Sequence, residues 1–419
     1  MLAGAVNRYV IQALRATTFI LALLVTGMSC GSTAEGDDQK LRVFIHDADS
    51  LLSLRQQVRT GDRDLSLLVD QLRSDADQAL RAGPFSVTNK LFTPPSGDKH
   101  DYMSLSPYWW PDPSTPDGLP YVRRDGVVNP ERNEYDRIPL GLLADNVITL
   151  AATYFYTGHE PYAIRAAELI RIWFIEPDTR MNPHLEYGQA IPGRSEGRNF
   201  GIIEARSLSR IAEVVGLLHG SESWTVEDQR LLQGWYNTFL DWLLDSDKGQ
   251  AEAAAPNNHG TWYDVTAAHL AMFTEHEDVA RDILAAVPER RIEKQIKPDG
   301  SQPLELHRTR SYSYSVMNLK GLYLTALLGE RVGLDIWSLD SEAGRKLKAA
   351  LDYLLPHSLE GQAWPYEQIR GWEPKNMVNL DFLMRLAAEK FKEPAYSDRL
   401  LDIPEIDLPM WSVKLIYPL

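Results

Sequence analysis

The chain has almost no cysteine and carries an excess of negative charge. Among its 419 residues there is a single cysteine, Cys30, so no disulfide can form within the chain. Asp and Glu outnumber Lys and Arg by 58 to 43, which gives a formal net charge of -15. A chain this acidic is a poor candidate for binding nucleic acid or an anionic membrane surface. A site for an anionic ligand must therefore concentrate positive charge locally.

The sequence also lacks the spacing patterns of common metal sites. It contains no HExxH segment, no cluster of cysteine ligands and no EF-hand loop. We therefore expect neither a bound metal nor another cofactor.

Long apolar runs are scarce, and the one that stands out lies near the N-terminus. Arg8 and Arg15 precede the run TTFILALLVTGM at 17–28, whose length fits a signal peptide better than a membrane span. Cys30 follows after a single serine and precedes Gly and Ser. The pattern predicts a lipoprotein-type signal peptide over residues 1–30 with Cys30 as the lipidation site; cleavage and secretion is the alternative. We expect a periplasmic or outer-membrane protein that meets a membrane only through this lipid anchor.

Beyond the signal peptide, the chain lacks any segment long enough to separate two domains. Residues 31–40 (GSTAEGDDQK) are polar and are typical of a short tether. The sequence therefore predicts a single domain over residues 41–419.

Strand-like alternation is scarce, and helical periodicity dominates. In 225–246, Thr225 and Asp228 have the spacing of a capping box, and an apolar stripe follows. Helices are also predicted over 138–158 and 161–174, separated by a tight turn. The remaining predicted helices are 202–219, 262–274, 277–287, 313–329, 342–355 and 376–390.

The sequence predicts many helices joined by short turns, and this pattern favours an all-α fold of paired antiparallel helices. Such a chain closes into an (α/α) toroid or an incomplete α/α barrel. An open helical solenoid is the alternative, but it normally shows a sequence period, and none is found. Long loops rich in Pro and Gly interrupt the helices at 83–136, 176–201 and 356–375. Loops of this kind on a rigid scaffold are where binding sites tend to be built.

The first of these loops is unusually aromatic. Its segment SPYWWPDP presents Tyr108, Trp109 and Trp110 on a backbone restricted by prolines. Aromatic rings of this kind form surfaces on which sugar rings stack. The alternative is a structured loop that packs its own aromatic side chains.

The second loop contains a basic, amide-rich patch within 186–206. Its members are Gln189, Arg194, Arg198, Asn199 and Arg206. Arginine binds a carboxylate through two parallel hydrogen bonds, so the patch suits an acidic ligand. The alternative is that these arginines pair with Glu196 and Glu204.

Two further segments carry candidate catalytic side chains. PNNHGTWYDV (256–265) places two carboxamides beside an imidazole, although such a group is equally suited to capping a helix. PLELHRTRSYSYSVMNL (303–319) contains Arg308 and two tyrosines, and an arginine near a phenol favours the phenolate. The alternative for this segment is an arginine paired with Glu305.

These residue types suit β-elimination at a uronic acid. A polysaccharide lyase removes a weakly acidic proton from C5, next to a carboxylate whose charge resists the reaction. Amide and cationic donors neutralise that charge, because negative charge develops on the carboxyl oxygens. A Tyr or His then accepts the proton, and an acid protonates the O4 leaving group.

Together, the motifs NNHGTWYDV, PLELHRTRSYSYSVMNL, SPYWWPDP and GIIEAR resemble the alginate lyase superfamily. That superfamily includes mannuronate-specific alginate lyases and glucuronan-type lyases, and the resemblance covers roughly residues 85–390. It implies an (α/α) toroid with a cleft across one end and an elimination that needs no metal.

The resemblance also implies roles for four residues. Asn258 and Arg308 would bind and neutralise the substrate carboxylate, and His259 would assist there or act as the base. Tyr314 would be the acid, and also the base if the elimination is syn. Tyr312 competes for this role, but the two side chains lie about 200° apart on a helix, so only one faces the cleft. We favour Tyr314 because its distance from Arg308 along the chain matches the family better.

We expect an enzyme that binds an anionic polysaccharide, of alginate, polymannuronate or glucuronan type, and releases 4,5-unsaturated products. The residues predicted to bind this substrate are Tyr108, Trp109, Trp110, Gln189, Arg194, Arg198, Asn257, Tyr263, Tyr312 and Glu367. One alternative is a glycoside hydrolase, which needs two carboxyl groups; Asp264, Glu305 and Glu367 are its candidates. The other is a glycan-binding surface lipoprotein without catalytic activity.

Overall fold

The computed structural model describes residues 41–371, 373–403 and 414–415. The predicted signal peptide with Cys30 and the predicted tether at 31–40 lie outside these residues. The described residues from Leu41 onwards belong to one compact unit. The division into signal peptide, tether and single domain remains a prediction.

Helices account for most of the described residues. The α-helices are α1 (Ala48–Arg59), α2 (Arg63–Ala79), α3 (Arg137–Thr157), α4 (Glu160–Phe174), α5 (Arg206–Val214), α6 (Val226–Asp245), α7 (Asp247–Ala253), α8 (Asn258–Phe273), α9 (Glu277–Ala285), α10 (Glu293–Gln295), α11 (Pro303–Leu306), α12 (Ser311–Arg331), α13 (Glu342–Leu359), α14 (Pro374–Lys390) and α15 (Ala395–Asp398). The 3₁₀ segments are Val87–Asn89, Pro130–Glu134, Asn199–Ala205, Val215–Leu218 and Arg399–Asp402, and Pro288–Ile292 is a π-helical turn. The strands are β1 (Met103–Leu105), β2 (Trp109–Trp110), β3 (Val122–Arg123) and β4 (Tyr187–Ala190).

The helices form an inner and an outer set. In the inner set, α3 packs against α5, α5 against α8, and α8 against α12. The outer helices cover them: α2 and α4 lie on α3, α6 and α9 on α8, and α13 and α14 on α12. Nearly every residue of α8 is buried, including the polar Asp264 and His269, because neighbouring helices cover it. The all-α toroid predicted from the sequence is confirmed.

The closest packing in the inner set joins α8 to α12. A Cβ atom at Gly321 would lie 2.8 Å from Cγ2 of Thr261, so a larger residue would push the two helices apart. These two helices carry most of the candidate catalytic residues. Their close contact therefore fixes the relative positions of those residues.

The inner helices start at the same end of the fold. Side-chain contacts join the residues around these starts: Tyr108 with Tyr314, Asn199 with Glu252, and Asn258 with Glu305. The first two long loops lead into α3 and α5, and the third leads into the outer helix α14. β1 and β4 pair in parallel and tie the first loop to the second, and β2 and β3 form an antiparallel pair within the first loop. The third loop is attached by a bridge between Arg310 and Gln368.

Predicted and observed helices differ in ways that matter for the site. The capping box of Thr225 and Asp228 is present and opens α6. The helix expected at 262–274 starts four residues earlier, at Asn258, because Asn257 caps it. The helix expected at 202–219 is a 3₁₀ segment, a short α5 and a second 3₁₀ segment.

At the far end of α8 a buried carboxylate fastens the start of the described chain to the core. Glu213 accepts hydrogen bonds from the backbone N–H groups of Phe44, Ile45 and His46. It also contacts the imidazoles of His46 and His269 at 2.9 and 2.7 Å. Burial alone would raise the pKa of Glu213, but the two histidines and their hydrogen bonds hold this pKa well below its usual range.

We expect Glu213→Gln to lower the free energy of unfolding by about 3 kcal/mol at neutral pH, since it breaks a buried charged network. The folded-state pKa of Glu213 lies below the unfolded one. Its contribution is therefore complete above about pH 4.5 and is lost as the pH falls towards the folded-state value. Urea unfolding of both proteins between pH 7 and pH 3 tests this. The gap between them should narrow at acid pH, and a gap that stays constant would contradict the assignment.

Candidate active site

The start of α8 places Asn258 and His259 at the site end of the fold. The side chain of Asn257 caps the helix by accepting a hydrogen bond from the backbone N–H of His259 at 3.3 Å. No larger residue fits at Gly260. A Cβ atom there would lie 2.1 Å from the Ala255 carbonyl oxygen and 2.4 Å from Nη1 of Arg291. Asn257 thus acts as a cap here, which is the alternative that the sequence left open.

His259 is held by a buried carboxylate. Its Nδ1 lies 2.5 Å from Oε1 of Glu252, and the other oxygen of Glu252 accepts a hydrogen bond from Asn199 at 2.9 Å. Because a carboxylate only accepts, Nδ1 donates this hydrogen bond, and Nε2 is left as the ring nitrogen that is not bound to Glu252. The edge of the ring packs against Phe200 at 4.7 Å between centroids, and the side chain stays partly exposed.

Asn258 lies deeper than the sequence predicts. Its side chain is fully buried, and its Nδ2 donates to Glu305 at 2.7 Å while its backbone N–H donates to the other carboxylate oxygen at 2.8 Å. Direct contact between this amide and a substrate carboxylate does not fit that placement. In this structure Asn258 positions Glu305, whose pKa is raised by burial despite these hydrogen bonds.

A second group surrounds the phenol of Tyr314. Nη2 of Arg308 donates to the Tyr314 hydroxyl at 3.0 Å, and the guanidinium lies 4.1 Å from the centre of the tyrosine ring. The hydroxyl of Tyr108 lies 2.7 Å from that of Tyr314. Asp125 holds the same guanidinium through Nη2 and Nε at 3.0 and 3.3 Å. The loop 83–136 therefore meets the start of α12 at this phenol.

The pKa values in this group differ from the sequence-based expectation. Burial raises the pKa of Tyr314, and the neighbouring Tyr108 raises it further, so the opposing charge of Arg308 does not produce a phenolate. Burial also acts to raise the pKa of Asp125, but the hydrogen bond and charge of Arg308 outweigh it and hold this pKa well below its usual range. At neutral pH the group is a phenol beside a guanidinium–carboxylate pair.

Glu305 connects the two groups. It is bonded to Asn258, and its carboxylate lies close enough to both Arg308 and His259 for their charges to lower its pKa. The imidazole and the guanidinium therefore both lie near one buried carboxyl group. The catalytic roles predicted for Asn258, His259, Arg308 and Tyr314 stay predictions.

The basic patch also lies at this end of the fold. Arg198 donates to Ser106 at 2.7 Å and to the side chain of Gln189 at 3.1 Å, and Gln189 has a positive φ of 50°. Burial lowers the pKa of Arg198 to about 10. Among the described residues neither Arg198 nor Arg194 forms an ion pair with Glu196 or Glu204, so the structure contradicts the pairing alternative.

The two tryptophans are used mainly within their own part of the fold. The guanidinium of Arg194 lies 5.3 Å from the centre of the Trp109 ring, and that of Arg124 lies 5.2 Å from the Trp110 ring. The indole N–H of Trp110 donates to the Val127 carbonyl at 2.9 Å. Both rings remain partly exposed at the rim of the site. A role in sugar stacking stays a prediction.

Two predicted substrate-binding side chains, Tyr312 and Tyr263, are buried in the core, whereas the binding role of a third, Glu367, stays a prediction. Tyr312 is fully buried, and its hydroxyl meets Ser358, which leaves Tyr314 as the tyrosine of this pair that contacts Arg308. Tyr263 is buried, and its hydroxyl donates to the Leu243 carbonyl at 3.0 Å. Glu367 has an exposed side chain and contributes its backbone carbonyl to Ser311.

The carboxyl groups proposed for a glycoside hydrolase are used elsewhere. Asp264 is fully buried between Arg290 and Arg291, at 2.7 and 2.8 Å. Glu305 is bound by Asn258, and Glu367 is exposed on its loop. Asp264 and Glu305 are both buried and already bound by other side chains, which disfavours the two-carboxylate mechanism.

Sequence reasoning missed Asp125 and Glu252, which hold the two functional side chains in place. Asp125 precedes Gly126, which has a φ of 72°; a Cβ atom there would lie 2.4 Å from Oγ1 of Thr309. The Asp-Gly turn was a detectable sign of a tight contact, although its partner was not. Glu252 lies seven residues before His259, with a short turn between them, and resembles any acidic helix residue.

Comparison with known proteins agrees with this geometry. A family model described as alginate lyase matches residues 86–364, and no curated protein matches the chain. The crystal structure of an alginate lyase from Bacteroides ovatus is 36% identical, with a TM-score of 0.85, and the match covers 90% of this chain and 99% of that one. Alginate lyase A1-III from Sphingomonas species A1 is 15% identical, with a TM-score of 0.57 and coverage of 91% and 99%. A variant of A1-III complexed with a tetrasaccharide gives a TM-score of 0.56 at 15% identity, with coverage of 91% and 98%.

The two A1-III structures support the fold alone at this level of identity. The family model covers more than half of the chain, and the structure from Bacteroides ovatus is similar over nearly its whole length. The resemblance seen in the motifs is thereby confirmed: the chain belongs to the alginate lyase family and is a polysaccharide lyase.

Proposed function

We propose that this lyase cleaves a polyuronate of the alginate type by β-elimination without a metal ion, and releases products with a 4,5-double bond. The arrangement around one phenol carries the proposal: the protonated Tyr314 accepts a hydrogen bond from Arg308, while Glu252 holds His259 with its Nε2 available. The similarity to an enzyme described as an alginate lyase supports alginate as the first substrate to test.

Arg308 is suited to neutralise the substrate carboxylate. Its Nη2 and Nε atoms are engaged by Tyr314 and Asp125, and among the described residues Nη1 makes no hydrogen bond. A guanidinium fixed in this way keeps donors for one carboxylate oxygen without further reorganisation. Negative charge that develops as the C5 proton leaves is stabilised at this position.

His259 is suited to be the base. Its neutral imidazole offers the Nε2 lone pair to the proton on C5, and the carboxylate of Glu252 stabilises the imidazolium that forms. The C5–H electron pair becomes the C4–C5 double bond as the bond from C4 to O4 breaks.

Tyr314 is suited to be the acid. Burial raises its pKa, so the phenol keeps its proton at neutral pH and donates it to O4 as the glycosidic bond breaks. The charge of Arg308 then stabilises the phenolate. Tyr108, whose hydroxyl lies 2.7 Å away, is placed to return a proton to it.

A substrate panel tests the proposal directly. The purified enzyme is incubated with polymannuronate, polyguluronate, glucuronan and glycosaminoglycans, and the ultraviolet absorbance of unsaturated products is followed with and without a chelator. We expect product from at least one polyuronate, with the chelator having no effect. Chain cleavage without ultraviolet absorbance, or binding without cleavage, would contradict the elimination. Loss of activity with the chelator would contradict its metal independence.

A further inference from the structure

A cavity of about 230 Å³ lies beside the active site, between α3 and the start of α5. Its lining includes Arg137, Asp145, Glu204, Arg206 and Ser207. None of these residues takes part in the elimination described above. Apolar residues complete the lining, and the charged ones indicate the kind of group that the cavity could bind.

The carboxylates that line this cavity already form ion pairs with other arginines. Glu204 pairs with Arg137 at 3.0 Å and accepts hydrogen bonds from two hydroxyl groups, and Asp145 pairs with Arg210 at 2.9 Å. In the described part of the chain, Arg206 has no carboxylate within ion-pair distance. Its donors meet the Ile203 carbonyl at 2.9 Å and a weak acceptor, the sulfur of Met317, at 3.4 Å.

A second such cation lies close by, on α12. Lys320 donates to Asn379 at 2.9 Å and has no carboxylate partner among the described residues. Burial lowers its pKa to about 8, assisted by the charges of Arg210 and Arg206. Burial and the charge of Arg137 likewise lower the pKa of Arg206 to about 10. These two half-buried cations lie close enough to repel each other, although the protein has a net charge of -15. This arrangement indicates a binding site for an anion.

Arg206 also links this cavity to the catalytic phenol. The sulfur that it contacts belongs to Met317, which lies one turn beyond Tyr314 on the same face of α12. Arg206 is close enough to Tyr314 for the phenol to influence its pKa. An anion bound at Arg206 would therefore lie next to the sugar being cleaved.

We propose that Arg206, with the supporting charge of Lys320, binds the carboxylate of a second uronic acid adjacent in the polymer to the one that loses its C5 proton. This inference rests on the proposed function and deepens it. It makes the enzyme selective for two consecutive acidic sugars over polymers in which acidic and neutral sugars alternate. Arg308 neutralises the carboxylate of the reacting sugar, and Arg206 binds the carboxylate of the neighbouring sugar.

The test compares Arg206→Gln with Arg210→Gln, measuring KM and kcat on an uninterrupted polyuronate and on a polymer with alternating uronic and neutral sugars. Both changes remove one positive charge from the same face of α5, but Arg210 is already neutralised by Asp145. We expect Arg206→Gln to raise KM for the polyuronate about tenfold, the loss of one charged hydrogen bond, with kcat little changed. Arg210→Gln should change KM less than twofold. On the alternating polymer, both variants should form product at the same rate as the wild type.

Arg206→Lys and Lys320→Met make the test independent of folding defects. Arg206→Lys keeps the charge and should recover part of the affinity, whereas Lys320→Met should raise KM for the polyuronate without touching the cavity wall. An unchanged KM in a folded Arg206→Gln variant, or equal losses on both polymers, would overturn the inference while leaving the elimination intact. Absence of unsaturated product from the wild-type enzyme on every polyuronate would instead overturn the proposed function.

Discussion

Replacing Tyr314 with Phe is expected to lower kcat about a thousandfold, because the change removes the proton donor for the leaving oxygen and little else. The ring and its contact with Arg308 remain, so KM should change little. The rate of formation of unsaturated product, followed by ultraviolet absorbance under saturating substrate, measures the effect. Activity within a factor of three of the wild type would remove Tyr314 from the mechanism.

Tyr312→Phe is the control for this experiment. It removes the same hydroxyl two residues away, but that hydroxyl meets Ser358 inside the core. We expect its kcat and KM to stay within about twofold of the wild type, since a single buried hydrogen bond contributes about 1 kcal/mol to stability and nothing to the reaction. Equal losses in both variants would indicate damage to α12 and not to proton transfer.

His259→Ala should also lower kcat about a thousandfold, because it removes the group proposed to accept the C5 proton. Added imidazole should restore part of the activity by occupying the space left open. Failure of imidazole to rescue a folded variant, together with a large rise in KM, would assign His259 to binding the substrate carboxylate.

Glu252→Gln distinguishes two roles of Glu252, which are to orient the ring of His259 and to stabilise the imidazolium formed by proton transfer. Gln can still accept a hydrogen bond from Nδ1 of His259, but it carries no charge to stabilise the imidazolium. We expect kcat to fall about a hundredfold while KM stays unchanged. A wild-type kcat would show that the imidazole does not become charged during turnover.

Much of the fold followed from local patterns. Thr225 and Asp228 gave the start of α6 because a capping box is a contact between near neighbours in the sequence. The start of α8 was less clear, since its first turn is polar and its apolar residues begin only later. In the segment 202–219, the apolar spacing continues while the helix changes from 3₁₀ to α and back to 3₁₀. Periodicity alone could therefore not show where the helix type changes.

The site was predictable in its residue types and less so in its contacts. Asp125 and Arg308 meet across 183 positions of sequence, so no local pattern could pair them. Tyr263 belongs to a motif that suggested function, yet its position on an all-buried helix places its hydroxyl in the core. Asn258 was expected to contact the substrate, but its side chain is buried and bound to Glu305, a partner that the sequence could not reveal.

Helix α8 carries His259 near one end and His269 near the other, a separation of ten residues or about 15 Å along its axis. The first end holds the proposed base, and the second is fastened to residues 44–46 through Glu213. Loosening that fastening by heat or acid would shorten the half-life of the active population during storage. Each molecule that survived would still turn over at its original speed. The stability of the fold and the catalytic rate thus depend on opposite ends of one helix, so the stability could be engineered without changing the rate.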